Sequence, residues 1–255
     1  MIKLKTDIQI GCMAESGKVT GHILHELGEL IRPGITTKDI DSFVEESILA
    51  VGMTPTFRGY GGFPASACVS VNEELVHGIP RETRTLVEGD IVSVDIGVTH
   101  NGWVSDAART YAVGEVSETA AKMIRIARKS FFEGLKVCRV GYMLGDLGYV
   151  IQSCVESEGF SVVLDYVGHG IGKEMHESPQ VKNYGKPGSG VPFAKGMALA
   201  IEPMLNEGAA AVKTLADGWT VVTEDGKLAA HYENTVIITD DEPRIITLDE
   251  RDENN

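Results

Sequence analysis

The chain has 255 residues, 43% hydrophobic and 24% charged, a globular composition with enough apolar material for one large domain or two small ones. Its 23 Lys+Arg against 37 Asp+Glu leave a net charge of −14, which makes nucleic acid and anionic membrane poor main ligands. No apolar run approaches the roughly 18–20 residues that span a bilayer, and MIKLKTDIQIG lacks the apolar core of a secretory signal.

Ile8, Met13, Val19, Ile23, Leu24, Leu27 and Ile31 recur at near-helical spacing and stop at Pro33-Gly34, which predicts a first amphipathic helix. Thr36 and Asp39 form a capping-box pattern ahead of a second, with Ile40, Phe43, Val44 and Leu49 on one stripe. Ile91–Val98 and Trp103–Val113 flank Thr99-His100-Asn101-Gly102 and predict a β-hairpin. A third helix is expected from Ser117 to about Val140, with Met123, Ile124, Ala127, Phe131 and Leu135 inward. A fourth is expected from about Leu144 to Glu158, with Leu147, Val150, Ile151, Cys154 and Val155. Strands are expected over Gly159–Val167, Met197–Leu205, Trp219–Thr223 and Leu228–Thr239. Helix pair then strands thus occurs twice, and GDIVSVD from Gly89 and GMALAIE from Gly196 place an acid at the same point in each half. No Pro/Gly/Ser-rich linker divides the chain. The expectation is one domain over 1–248 with a short, mobile charged tail at 249–255. Cys12, Cys68, Cys138 and Cys154 are far apart with no C-x-x-C pair, as expected for reduced thiols in a cytoplasmic protein.

Acids inside apolar strands carry the chemistry. With a four-residue loop Asp95 lies opposite Asp106. With Asn101-Gly102 alone turning, Asp95 faces Ala108 and Asp106 lies two residues along. Either way the two carboxylates share a face within roughly 5–8 Å, unless that face is simply the polar side of the hairpin. Glu202 interrupts GMALAIEPML, Glu233 interrupts AAHYENTVIIT, and YVGHGIGKEMH supplies His169 and His176 on a glycine-rich bend. Burying four unpaired carboxylates would cost several kcal/mol each, and a shared metal site accounts for all of them. About −4 of charge matches two divalent ions. An oxygen-rich set with one imidazole suits Mn, Fe or Co at least as well as Zn.

The order Asp95, Asp106, His169, Glu202, Glu233, with VNEELVHGIP around His77 and HESP after His176, resembles the type I methionine aminopeptidases over essentially the whole chain. The resemblance implies an α+β pita-bread (creatinase/aminopeptidase-like) fold, two pseudo-symmetric halves of helix pair plus strands around a central antiparallel sheet. It implies a dinuclear centre with Asp106 and Glu233 bridging, Asp95 on one metal, and His169 and Glu202 on the other. It further implies that a metal-activated bridging water attacks the scissile carbonyl, with Glu202 as general base and His77 and His176 binding the substrate. By the same resemblance the methionine pocket falls to Tyr60, Phe63, Cys68, Met175 and Trp219, with pocket size depending on Phe57 and Met175. The alternative for GYGGFP is a simple tight turn with buried aromatics. The implied substrates are N-terminal methionine peptides and nascent chains with a small second residue.

No zinc-binding extension is expected ahead of the first helix, and the stretch between Glu202 and Glu233 is too short for the helical insertion of type II enzymes. Nor is the extra N-terminal domain of prolidases and aminopeptidase P expected. Two other readings are a pita-bread exopeptidase acting before proline and a binding module that lost catalysis. No surplus apolar stripe calls for a second subunit, so a monomer is expected. Any transient ribosome contact would depend on a local basic cluster.

Overall fold

Thr6 starts the first helix with a reciprocal cap: its hydroxyl accepts from the Gln9 N–H, and the Gln9 side chain accepts from the Thr6 N–H. The computed structural model describes residues 1–252, beginning with α1 (Asp7–Leu30) and α2 (Thr37–Ala50). Thr36 and Asp39 cap α2 in the reciprocal pattern the sequence predicts. There follow β1 (Thr54–Pro55), β2 (Ala67–Val71), β3 (Glu74–Val76), β4 (Ile91–His100) and β5 (Trp103–Ala112). Strands β2 and β3 were not foreseen in the sequence.

The β4–β5 hairpin resolves the choice of register. His100 pairs with Trp103, and Asn101 and Gly102 turn with φ of 51° and 75°, the left-handed pair a two-residue hairpin loop requires. Asp95 therefore faces Ala108, and Asp106 faces Gly97. Strands β1 and β2 pair with β4 along its other edge.

The second half repeats the plan with α3 (Glu118–Leu135), capped by Ser117, and α4 (Leu144–Ser157). Helix α3 ends earlier than expected, and the chain continues as tight turns to Cys138. Then come β6 (Ser161–Val162), β7 (Gly168–Gly170), β8 (Glu177–Val181), β9 (Ala198–Ile201), β10 (Met204–Asn206), β11 (Val212–Thr214), β12 (Val221–Thr223), β13 (Ala229–His231), β14 (Asn234–Ile237) and β15 (Arg244–Ile245). An antiparallel sheet runs in the order β15-β14-β9-β7-β8, and two smaller sheets run β13-β10-β6 and β11-β12-β3. Of the strand expected over Gly159–Val167, only Ser161–Val162 pairs.

Two predicted strands are broken, and their breaks face each other. Ile201 pairs with Asn234 and Met204 with His231, so Glu202-Pro203 lies against Tyr232-Glu233. Pro203 has no N–H for a ladder, and its carbonyl accepts from the Tyr232 N–H at 3.1 Å. Strand β5 runs alongside this junction. The Glu233 N–H donates to the Ala108 carbonyl at 2.9 Å. The Thr110 hydroxyl donates to the His231 carbonyl at 2.8 Å, and the Thr235 hydroxyl to the Asp106 carbonyl at 2.8 Å. The two halves are thus joined by hydrogen bonds at and beside the positions that carry the acids.

Each helix pair covers its own strands. Ile23, Leu24, Leu27, Ile40, Val44 and Ile48 pack on Val69, Val92, Val94 and Ile96, while Met123, Phe131, Leu147 and Ile151 pack on Leu199, Ile201 and Val236. Burial of each such side chain stabilises by about 1.5–3 kcal/mol. A further cluster of Met13, Phe57, Phe63, Cys68, Ile171 and Met175 lies between them.

The chain returns to α1 at its far end. Arg251 donates to Glu26 and Asp249, and the Asp252 carboxylate lies 2.8 Å from His25 Nδ1. Residues 249–252 of the expected tail therefore contact the first helix, and 253–255 lie outside the described residues. A Cβ at Gly17 would stand 2.2 Å from the Ile246 carbonyl oxygen, whereas one at Gly11 meets nothing within 4 Å. Gly17→Ala is expected to lose about 1–3 kcal/mol in urea unfolding, while Gly11→Ala should gain up to about 1 kcal/mol. Equal stability of the two variants would remove the close contact from the account.

Candidate active site

Every residue singled out from the sequence lines one cavity of about 180 Å³. His77, Asp95, Asp106, His169, His176, Glu202 and Glu233 line it together with Tyr60, Phe63, Cys68, Met175 and Trp219, and Phe57 lines it as well. Asp95 and Asp106 come from the hairpin, His169 from β7, and Glu202 and Glu233 from the facing strand breaks. His169 Nε2 lies 3.5 Å from Asp106 Oδ2 and 3.6 Å from Glu202 Oε1. Its Nδ1 is 2.9 Å from the Gly170 carbonyl, so Nδ1–H donates there and the Nε2 lone pair faces the carboxylates.

His231 joins this group and was missed in the sequence reading. Its ligating nitrogen falls within 4.8 Å of carboxylate oxygens of both Asp95 and Glu233, as those of Asp106, His169 and Glu233 do among themselves. The available signal was its position two residues before Glu233 in an extended segment, which puts both side chains on one face.

Burial sets the electrostatics. It raises the carboxyls of Asp95, Glu202 and Glu233 well above their ordinary range, and the neighbouring acids raise them further. Asp106 is pushed up to about 7 by burial, with the neighbouring Asp95 and Glu233 carboxyls acting in the opposite direction. Burial lowers His169 to about 4 and His231 to about 3, leaving both rings neutral at neutral pH. Asp41 shows what a structural buried acid looks like. It accepts from the Ser66 and Ala67 N–H groups and pairs with Lys38. In contrast, Asp95 Oδ1, Asp106 Oδ1, Glu233 Oε1 and both His231 nitrogens are buried without a hydrogen-bond partner among the described residues. Unsatisfied oxygen donors with neutral imidazole fit divalent cations.

The remaining polar groups adjoin this cluster. Just after β3, His77 takes a left-handed φ of 59°, a strained conformation for a residue with a side chain, and burial lowers its imidazole to about 4. The Tyr60 hydroxyl lies 2.8 Å from His176 Nδ1, and the His176 ring stands 4.4 Å from that of His169. Phe63 and Trp219 meet edge to face at 5.2 Å. Burial raises the Cys68 thiol well above its usual range, so it is wall and not nucleophile.

Residues 11–240 match metallopeptidase family M24. Over 248 residues, covering 97% of this chain and 99% of the relative, the sequence is 54% identical to a methionine aminopeptidase of Clostridium acetobutylicum. The chain belongs to family M24. This M24 peptidase superposes on the crystal structure of the methionine aminopeptidase from Thermotoga maritima with a TM-score of 0.96 at 46% identity, covering 98% of this chain and all of that one. An Xaa-Pro dipeptidase from Bacillus anthracis, 23% identical with a TM-score of 0.77 over 96% of this chain and 61% of that one, shares the fold alone. The fold of this M24 peptidase is the pita-bread arrangement expected from the sequence.

Proposed function

We propose that the protein is a type I methionine aminopeptidase that removes the initiator methionine from nascent proteins and peptides with a small second residue. The observation carrying this reading is one cavity in which buried carboxylates with unpartnered oxygens, beside His77, His169 and His176, meet an apolar wall containing Cys68 and Met175. That wall suits the unbranched thioether of methionine. Identity to methionine aminopeptidases along nearly the whole chain supports the same specificity.

In this reading Asp95, Asp106, His169, Glu202 and Glu233 are the residues that would hold two divalent ions. When bound, such ions supply Lewis acidity and make water acidic enough to lose a proton near neutral pH. Glu202, its proton affinity raised by burial and by Asp106 and Asp95, takes up that proton and returns it to the leaving amide nitrogen. His77 and His176 hydrogen-bond the scissile amide as charge develops on it, and the Tyr60 hydroxyl holds the His176 ring in orientation. Phe63, Met175 and Trp219 exclude water around the side chain. Mn, Fe or Co suits the donor set at least as well as Zn. We further propose that the enzyme acts as a monomer in the cytoplasm, a setting in keeping with its four unpaired cysteines.

Release of free methionine from Met-Ala-Ser tests the assignment, with Mn(II) or Co(II) added and again with chelator. Metal-dependent release with no cleavage of Ala-Pro-Ser is expected. Cleavage of Ala-Pro-Ser alone would replace this reading with a proline-directed exopeptidase, and silence on both peptides with metal bound would reduce it to a binding module.

A further inference from the structure

His231 is 1% exposed, and neither ring nitrogen has a hydrogen-bond partner among the described residues, an arrangement that is destabilising unless something else occupies it. Its aim is fixed from the backbone, because the His231 N–H donates to the Thr110 hydroxyl oxygen at 2.9 Å and its carbonyl accepts from the same hydroxyl. The ring cannot be relieved by the carboxylates directly. His231 Nε2 lies 3.5 Å from Glu233 Oε2 and 3.7 Å from Glu202 Oε2, beyond the 2.7–3.2 Å of an N–H···O bond. Two donors each about 2.1 Å from one ion stand about 3.4 Å apart at a tetrahedral angle, and never more than about 4.2 Å. The His231–Glu233 separation falls in that range. His169 repeats the relation, 3.5 and 3.6 Å from Asp106 and Glu202.

We propose that His231 is a further metal ligand of this chain, contributing an imidazole nitrogen on the Asp95–Glu233 side of the centre. The inference rests on the metal-centre reading above and adds a second nitrogen to a set otherwise holding one. Nitrogen donors favour cobalt and zinc over manganese more than carboxylates do, so His231 shifts this chain's metal preference toward the later ions.

The test uses the full chain loaded with two equivalents of Co(II), whose paramagnetism shifts the N–H protons of coordinated imidazoles far from the rest of the proton NMR spectrum. Wild type should show two such exchangeable resonances, from His169 and His231, and H231Q only one. H231Q should also bind Co(II) at least tenfold more weakly while losing less affinity for Mn(II). Wild type holding two Co(II) with a single shifted resonance overturns the assignment without any variant. So do two resonances that both persist in H231Q. Wild type that takes up no Co(II) instead overturns the metal-centre reading, and the ligand role with it. Metal-free melting of H231Q and H231N beside wild type separates loss of a ligand from loss of fold.

Discussion

Glu202→Ala is expected to lower kcat by about 10²–10⁴-fold, the range associated with a positioned acid–base group. The side chain stands where β9 gives way to Pro203, 3.6 Å from His169 and 3.7 Å from His231, with its carboxyl raised by burial and by Asp106 and Asp95. Among the described residues no other carboxylate of the cavity lies within 4 Å of both imidazoles, so no neighbour is placed to take over the proton. Metal content should fall as well, because the same side chain is a proposed ligand. His77→Ala is the contrast: it should lower kcat/KM with metal content intact. Steady-state kinetics paired with metal analysis separate the two cases. Retention of more than a tenth of kcat in Glu202→Ala, a loss below about 1.4 kcal/mol, sinks the assigned role.

The stabilisation that divalent metal gives the folded protein should grow steadily from pH 5 to pH 8. Asp95, Asp106, Glu202 and Glu233 all have folded-state pKa values raised above their unfolded ones, with Asp106 at about 7. Groups of that kind contribute stability that is complete below the unfolded pKa, near 4, and is lost as pH rises through the folded value. The metal-free protein thus loses stability on their account over this window. The buried histidines act in the opposite sense. Their folded pKa values are lowered to about 4 or below, so their contribution is present above the unfolded value and lost as pH falls. Comparing the protein with and without metal at each pH cancels the histidines, which are already neutral in the folded state above pH 5. What remains is displacement of protons from carboxylates, worth about 1.4 kcal/mol per proton per pH unit below the folded pKa. Calorimetric melting at pH 5, 6, 7 and 8 with Mn(II) or with chelator reads it. A melting shift independent of pH would mean that the carboxylates ionise freely without metal.

Local rules made much of the molecule legible in its sequence. The Thr36/Asp39 cap, the Asn101-Gly102 turn and the apolar stripes depend on residues a few positions apart. They therefore place α2, the hairpin and the helix faces before any tertiary contact is considered. The acids stood out because each interrupts an apolar strand. The strand breaks at Glu202-Pro203 and Tyr232-Glu233 were not legible, since only their pairing across the sheet shows that they coincide. Strands β2 and β3 escaped because Ala67–Val76 is short and divided by a turn at Asn72. His231 escaped for a different reason: a histidine beside an aromatic in a buried strand reads as core until the orphaned nitrogens are seen.

The junction at Ala108 and Glu233 has a bearing on how the protein acquires activity. Asp95 and Asp106 can come together on a local hairpin that closes early, whereas Glu202, Glu233 and His169 arrive only when the second half folds and docks along β5. A chain arrested at the first stage would present two adjacent acids to solvent with nothing to complete them, so it would be structured in part and catalytically inert. Return of peptidase activity during refolding should therefore lag behind return of helical circular dichroism and coincide with protection of the Glu233 amide from hydrogen exchange. Peptide cleavage would then serve as a clock for the docking of one half against the other.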